Sequence, residues 1–200
     1  MKMTGEEFCK LIKKDPSWCK NLKESLEITT YVLLTGSNIT HLSPLLTFSG
    51  RDEYGVVAHF NRCKKLKIAT GTFNGFVSFR NSGLEKIKGL TITETDVTVD
   101  SASFIACKNL KVATGNYKGC VSFYGSGVET IKNLIIKNPN TDGEKAHFNQ
   151  CPIKYVPKEY REKNFTFEKG TIEKSVKKDR EDAIKKTVKK IKSETNNIEI

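Results

Sequence analysis

Ala58-His59-Phe60-Asn61-Arg62-Cys63 returns almost unchanged as Ala146-His147-Phe148-Asn149-Gln150-Cys151, and Cys107 stands midway, 44 residues from each cysteine. Aligning 58–92 with 102–136 gives 20 identities in 35 positions, which chance does not produce. A period of this length is the mark of a stacked repeat architecture, so the repeat decides the fold before any single residue is considered.

Within each period lies a half-period of an apolar residue, two others, Leu, one other, then an apolar or Thr position. It reads Leu42-x-x-Leu45-x-Thr47, Cys63-x-x-Leu66-x-Ile68, Ile87-x-x-Leu90-x-Ile92, Cys107-x-x-Leu110-x-Val112 and Ile131-x-x-Leu134-x-Ile136. A degenerate sixth copy starts at Cys151. The Leu-x-Ile alternation predicts short strands turning both side chains inward, because strand side chains alternate between faces. One coil cannot bury its apolar side alone, and stacking supplies a neighbour for each. The expected stack puts Cys63, Ile87, Cys107 and Ile131 in one buried column, with cysteine acting as a small hydrophobe. Phe60, Phe79, Phe104, Phe123 and Phe148 read as an aromatic spine on the return side. Gly71 and Gly115 fall where the chain leaves the strand.

The Cys63-x-x-Leu66-x-Ile68-x-x-Gly71-x-Phe73 and Ile87-x-x-Leu90-x-Ile92-x-x-Thr95-x-Val97 spellings resemble the leucine-rich repeat family over residues of about 32–157. Phe60-x-x-Cys63-x-x-Leu66 is similar to its BspA-like subtype. The resemblance implies an α/β repeat solenoid, a leucine-rich-repeat-like stack of about six coils with a parallel β-sheet face whose outward side binds partners. The family's Asn position holds Gly50, Gly71, Thr95, Gly115 and Pro139, so its asparagine ladder is missing. A right-handed β-helix is the alternative.

Three segments are expected: an N-terminal helical cap (1–30), the solenoid (31–157) and a charged C-terminal segment (158–200). Phe8, Leu11 and Ile12, then Trp18, Leu22 and Leu26, fit two short helices on either side of Asp15-Pro16-Ser17, with Ser17 or Asp15 as cap of the second and Trp18 in the core. Ile172, Val176, Ile184, Val188 and Ile191 predict an amphipathic helix over 171–193, which packs on the last coil, self-associates or serves as a basic arm; 194–200 read as a frayed end.

The net charge is +11, and +6 of it falls on residues 51–157. That excess favours an acidic partner. The position after the first apolar residue holds Lys64, Lys88, Lys108 and Lys132 in four successive units, and Lys67 and Lys111 occupy an outward position on alternate ones. Stacked strands about 4.8 Å apart would align these lysines in a strip thickened by Lys65 and Lys137. Exposed like charges so close repel one another, so the strip serves either solubility or an anionic partner. An acidic protein is the leading partner. Nucleic acid or anionic lipid is the alternative, and a scaffold or effector role is a third reading. No aromatic residue interleaves with the strip, which argues against single-stranded nucleic acid.

Catalytic chemistry is not expected. His59 and His147 are copies of one repeat position, the acids Asp52, Glu53, Glu85, Glu94, Asp96, Asp100 and Glu129 are scattered, and no phosphate loop or metal-ligand spacing occurs. No cofactor or metal is called for. No apolar run spans a bilayer and the charged start does not read as a signal peptide, so a soluble, cytoplasmic, non-enzymatic module is expected, with non-classical secretion left open.

Overall fold

The computed structural model describes residues 1–162 and 164–195, with side chains described as far as Lys190. It holds two parallel sheets of seven strands each. The first sheet contains β1 (Lys2–Met3), β2 (Leu26–Ile28), β4 (Leu46–Phe48), β6 (Ile68–Asn74), β8 (Lys86–Glu94), β10 (Val112–Tyr117) and β12 (Thr130–Ile136) in that order. The second runs β3 (Val32–Leu33), β5 (Val56–His59), β7 (Phe76–Ser78), β9 (Asp100–Ser103), β11 (Cys120–Ser122), β13 (Ala146–His147) and β14 (Phe165–Thr166). From β2 to β13 the chain crosses from one sheet to the other at every step, so each repeat adds a strand to both.

The core between the sheets is one continuous apolar cluster. Its spine is the expected phenylalanine column, extended by one residue. Phe60, Phe79, Phe104, Phe123, Phe148 and Phe167 stack in sequence, with successive centroids 5.1–5.4 Å apart and planes within 13° of parallel. Phe73 of β6 meets Phe60 and Phe79 edge-on, and Tyr117 of β10 meets Phe104 in the same way. The first sheet thereby locks against the spine through the geometry aromatic rings prefer.

The register differs from the reading of the half-period. Leu-x-Ile turns inward only in β8 and β12, where Ile87, Leu90, Ile92 and Ile131, Leu134, Ile136 are buried. In the cysteine copies Ile68 is half-buried and Val112 exposed, while Ala69 and Ala113 point in. The reason is a tight turn: Leu66 N donates to Cys63 O and Leu110 N to Cys107 O, both at 3.1 Å, so the strand starts after the leucine and in the opposite phase. In the first unit Leu46 and Phe48, not Leu45, are buried. Leu46, expected to face outward, is therefore a core residue.

Ile87 consequently pairs with Ala69, and Ile131 with Ala113. The residues that share the cysteine position are serines. Ser37, Cys63, Ser82, Cys107, Ser126 and Cys151 form the column, each Ser Oγ lying 3.4 Å from the next Cys Sγ. Cys63, Cys107 and Cys151 thiols donate to Leu34 O, Phe79 O and Phe123 O at 2.9–3.1 Å. The three thiols thereby satisfy carbonyls of the preceding coil at this corner.

At the N-terminus α1 (Gly5–Lys14) starts in a Thr4–Glu7 capping box and buries Phe8 and Ile12, with Phe8 edge-on to Phe48. The second expected helix is only a 3-10 turn, Trp18–Asn21, and Leu26 belongs to β2, paired with Leu46. Asp15 accepts from Ser17 N and Oγ in a local turn rather than capping a helix, and no side chain of Ser17 caps one either. The Leu26-x-Ile28 alternation is better used as a strand. Trp18 is half-buried at the rim of the core rather than inside it.

The C-terminal helix α2 (Thr171–Thr195) covers the expected 171–193. Its first turns dock: Ser175 Oγ accepts from Val156 N at 2.9 Å, and Asp179 takes Arg161 and Tyr155 at 2.8 Å each. Beyond them the expected apolar stripe stands exposed at Ile184 and Val188. The Ile191 side chain and residues 196–200 of the expected frayed end lie outside the described residues.

Candidate anion-binding surfaces

Each coil leaves the second sheet by the same corner. The second residue after the Phe or Leu that follows each strand takes a left-handed conformation at Gly36, Arg62, Asn81, Ala106, Gly125 and Gln150, with φ between 58° and 71°. The residue after it folds back: Cys63, Ser82, Cys107, Ser126 and Cys151 N–H groups donate to the carbonyls of Phe60, Phe79, Phe104, Phe123 and Phe148. Left-handed backbone is unfavourable for Arg, Ala and Gln and tolerated by Asn. It is held because each corner N–H donates to the next coil, Arg62 to Arg80 O, Asn81 to Ile105 O, Ala106 to Tyr124 O and Gly125 to Asn149 O, at 2.8–3.0 Å.

These stacked corners enclose a groove of about 670 Å³ lined by Asn61, Arg62, Arg80, Asn81, Lys108 and Tyr124 with their neighbours, and no carboxylate lines it. Lys64 Nζ is fixed 2.7 Å from both Asn81 O and Oδ1, and Lys108 Nζ 2.5 Å from Gly125 O. Among the described residues neither lysine, nor Arg62 or Arg80, has an acidic partner within ion-pair distance. Tyr124, at the far end of the groove, is 41% exposed.

The eight lysines singled out in the sequence fall into separate groups. Lys108 lines the groove and Lys64 reaches its Asn81 edge, two coils apart, because the intervening position is Gly83, where a Cβ would fall on Lys64 O. Lys88 and Lys132 stand on the first sheet, beside the left-handed bulges at Gly89 and Asn133. They line a shallow cleft of about 340 Å³ with Lys86, Ile87, Val112 and Thr114. The single column of four is therefore two rows on different faces. Lys67 and Lys111 are ion-paired with Glu85 and Glu129 at 2.7 and 2.6 Å, so the repeat copied charge pairs as well as charges. Lys65 is exposed on the turn before β6, and Lys137 is exposed just after β12. Arg62, Arg80 and Tyr124 escaped the sequence reading. Their signal was the pair of positions between Phe and Cys or Ser, which the misaligned half-period hid.

Burial pushes the thiols of Cys63, Cys107, Cys120 and Cys151 up, and Cys19 up to about 12, so none is a thiolate at neutral pH. Burial lowers the pKa of His59, leaving its ring neutral there. Burial and then the charge of Asp96 hold the Asp100 carboxyl above the usual carboxylate range. Because the folded value lies above the unfolded one, the cost is absent at pH below the unfolded value and grows as pH rises through the folded value. Asp100→Asn is thus expected to raise the melting temperature at pH 7, with the gain disappearing as pH falls toward about 3, measured by calorimetry across pH. A gain that is unchanged at low pH would refute this account.

No metal-binding cluster of three or more His, Cys, Asp or Glu occurs among the described residues, and no helix among them is long and apolar enough to cross a membrane. Compared with family models, curated proteins and solved structures, the chain matches none.

Proposed function

We propose that this chain is a leucine-rich-repeat-like solenoid, or a β-helix of the same two-sheet plan, that acts without catalysis as a docking module for an acidic protein segment. The Phe-x-x-Cys-x-x-Leu spelling supports the first description, and the strands on both sides of every coil support the second. The binding face is the outward side of the first sheet.

The observation that carries this reading is the cleft at Lys86, Lys88 and Lys132. Its cations surround an apolar floor of Ile87 and exposed Val112, and the one carboxylate beside them, Glu85, is already taken by Lys67. A segment that alternates acidic and aliphatic residues satisfies both the rim and the floor. A uniformly charged polyanion satisfies only the rim.

Affinity capture at about 50 and 200 mM salt tests this, comparing the native protein with Lys88→Glu/Lys132→Glu and Lys64→Glu/Lys108→Glu. The first pair is expected to weaken partner binding about tenfold or more, since reversal of contact charges acts on both affinity and encounter. The second should leave the protein partner in place. Retention of the same partners by Lys88→Glu/Lys132→Glu at both salts removes the first-sheet face from consideration.

A further inference from the structure

We propose that the corner groove is a second, separate site, which binds a short single strand of nucleic acid with phosphates on Arg62, Arg80 and Lys108 and a base stacked on Tyr124. The reading does not depend on the first-sheet face, which lies on other strands and carries other lysines.

The corners follow one another along the stack at about 4.8 Å, so the groove presents its groups in a fixed order. Arg62 comes first, Arg80 and Asn81 one coil on, Ile105 and Lys108 on the third, Tyr124 on the fourth and Gln150 on the fifth. The strip is thus about 20 Å long, with the guanidiniums at one end and Tyr124 and Gln150 at the other.

Three features favour a nucleic acid strand over other anions. First, two guanidiniums lie on adjacent coils with no carboxylate in the groove, and guanidinium forks fit phosphate oxygens in two-pronged fashion while staying charged at every relevant pH. Second, Tyr124 places an exposed ring one coil from Lys108, and a ring beside a cation is the pairing by which single-strand binders hold a base and its phosphate. Third, Gln150 and the Asn81 Nδ2 group, whose Oδ1 alone is taken by Lys64, offer amide groups, which recognise base edges but add nothing for a bare polyanion. An acidic peptide would engage the arginines and leave the ring unused. A duplex keeps its bases stacked and out of reach of Tyr124.

The backbone makes the site rigid before anything binds. Corner N–H groups are spent on the next coil's carbonyls, and Lys108 is anchored on Gly125 O. Binding therefore has to order the exposed Arg62 and Arg80 side chains but neither the backbone nor Lys108, which limits its entropic cost.

The test is fluorescence anisotropy with a labelled oligouridine of about eight nucleotides, against the matching duplex and a heparin fragment of similar charge, at about 50 and 200 mM salt. The native protein should bind the single strand, more weakly as salt rises. Arg62→Glu/Arg80→Glu should lose at least about tenfold for single strand and heparin alike. Tyr124→Ala should lose about fivefold or more for the oligouridine and nothing for heparin, with Tyr124→Phe restoring the difference. Lys88→Glu/Lys132→Glu should leave oligouridine binding intact, and circular dichroism on each variant checks that it folds. The proposal is overturned by no binding of the single strand, by unchanged oligouridine binding in Tyr124→Ala, or by Lys88→Glu/Lys132→Glu weakening it as much as the arginine pair.

Discussion

Phe104→Ala is expected to destabilise the protein by about 4 kcal/mol, the range for truncating a fully buried phenylalanine. Phe104 has no exposed surface and stacks on both sides, 5.3 Å from Phe79 and 5.1 Å from Phe123, with Tyr117 against its edge. Its removal deletes three ring contacts at once and opens a void in the middle of the column, where neighbours tied to two sheets cannot collapse inward. For a chain of this size the melting temperature should fall by roughly 8–16 °C. Phe104→Leu refills most of the volume and should lose less than half as much. Denaturant titration of both variants checks this; equal losses would mean that the ring contacts, and not the volume filled, carry the contribution of Phe104.

Gly127→Ala is expected to be nearly as damaging although it adds a single methyl. A Cβ at this position would fall within the van der Waals shell of Lys108 O, with Leu110 O close behind at 3.2 Å. Both obstacles are backbone of the preceding coil, so no side chain can swing aside. Gly127 N donates to Cys107 O at 3.1 Å, and separating the coils to admit the methyl breaks that bond as well. A loss of about 3 kcal/mol follows, at the upper end for overpacking. Gly143→Ala is the control: it has open space around it but φ of 81°, so it should cost only about 1 kcal/mol through backbone strain. Thermal melts should rank the two clearly, and an inverted order would show that close coil approach is not what fixes Gly127.

Much of the fold was legible because a stacked repeat leaves traces at long range. The 44-residue recurrence of Cys63, Cys107 and Cys151 and the phenylalanine spacing located two columns that the structure contains. What failed was phase. The matching Leu-x-x spelling at Cys63 and Ile87 invited their alignment, yet one is a turn and the other a bulged strand, and apolar pattern alone does not distinguish a turn filled by a thiol from a strand filled by an isoleucine. Ser82 is the true counterpart of Cys63, and a buried serine has no hydrophobic signature by which to be found. That five-residue slip fused two rows of lysine into one and hid the arginines at the corners. Likewise β2 was lost to a helix because Leu22 and Leu26 share helical spacing, while the pairing of Leu26 with Leu46 comes from a part of the chain that local pattern does not sample.

The alternation of hydroxyl and thiol down the buried column makes this a molecule that counts in twos. Excising one coil would set thiol beside thiol or hydroxyl beside hydroxyl, and would bring Gly83 or Gly127 level with a turn of its own kind instead of a lysine-bearing one. Removing or inserting a matched couple preserves every neighbour. Growth and shrinkage of such a chain are therefore quantised, and its ancestry is most simply read as the copying of couples rather than of single turns.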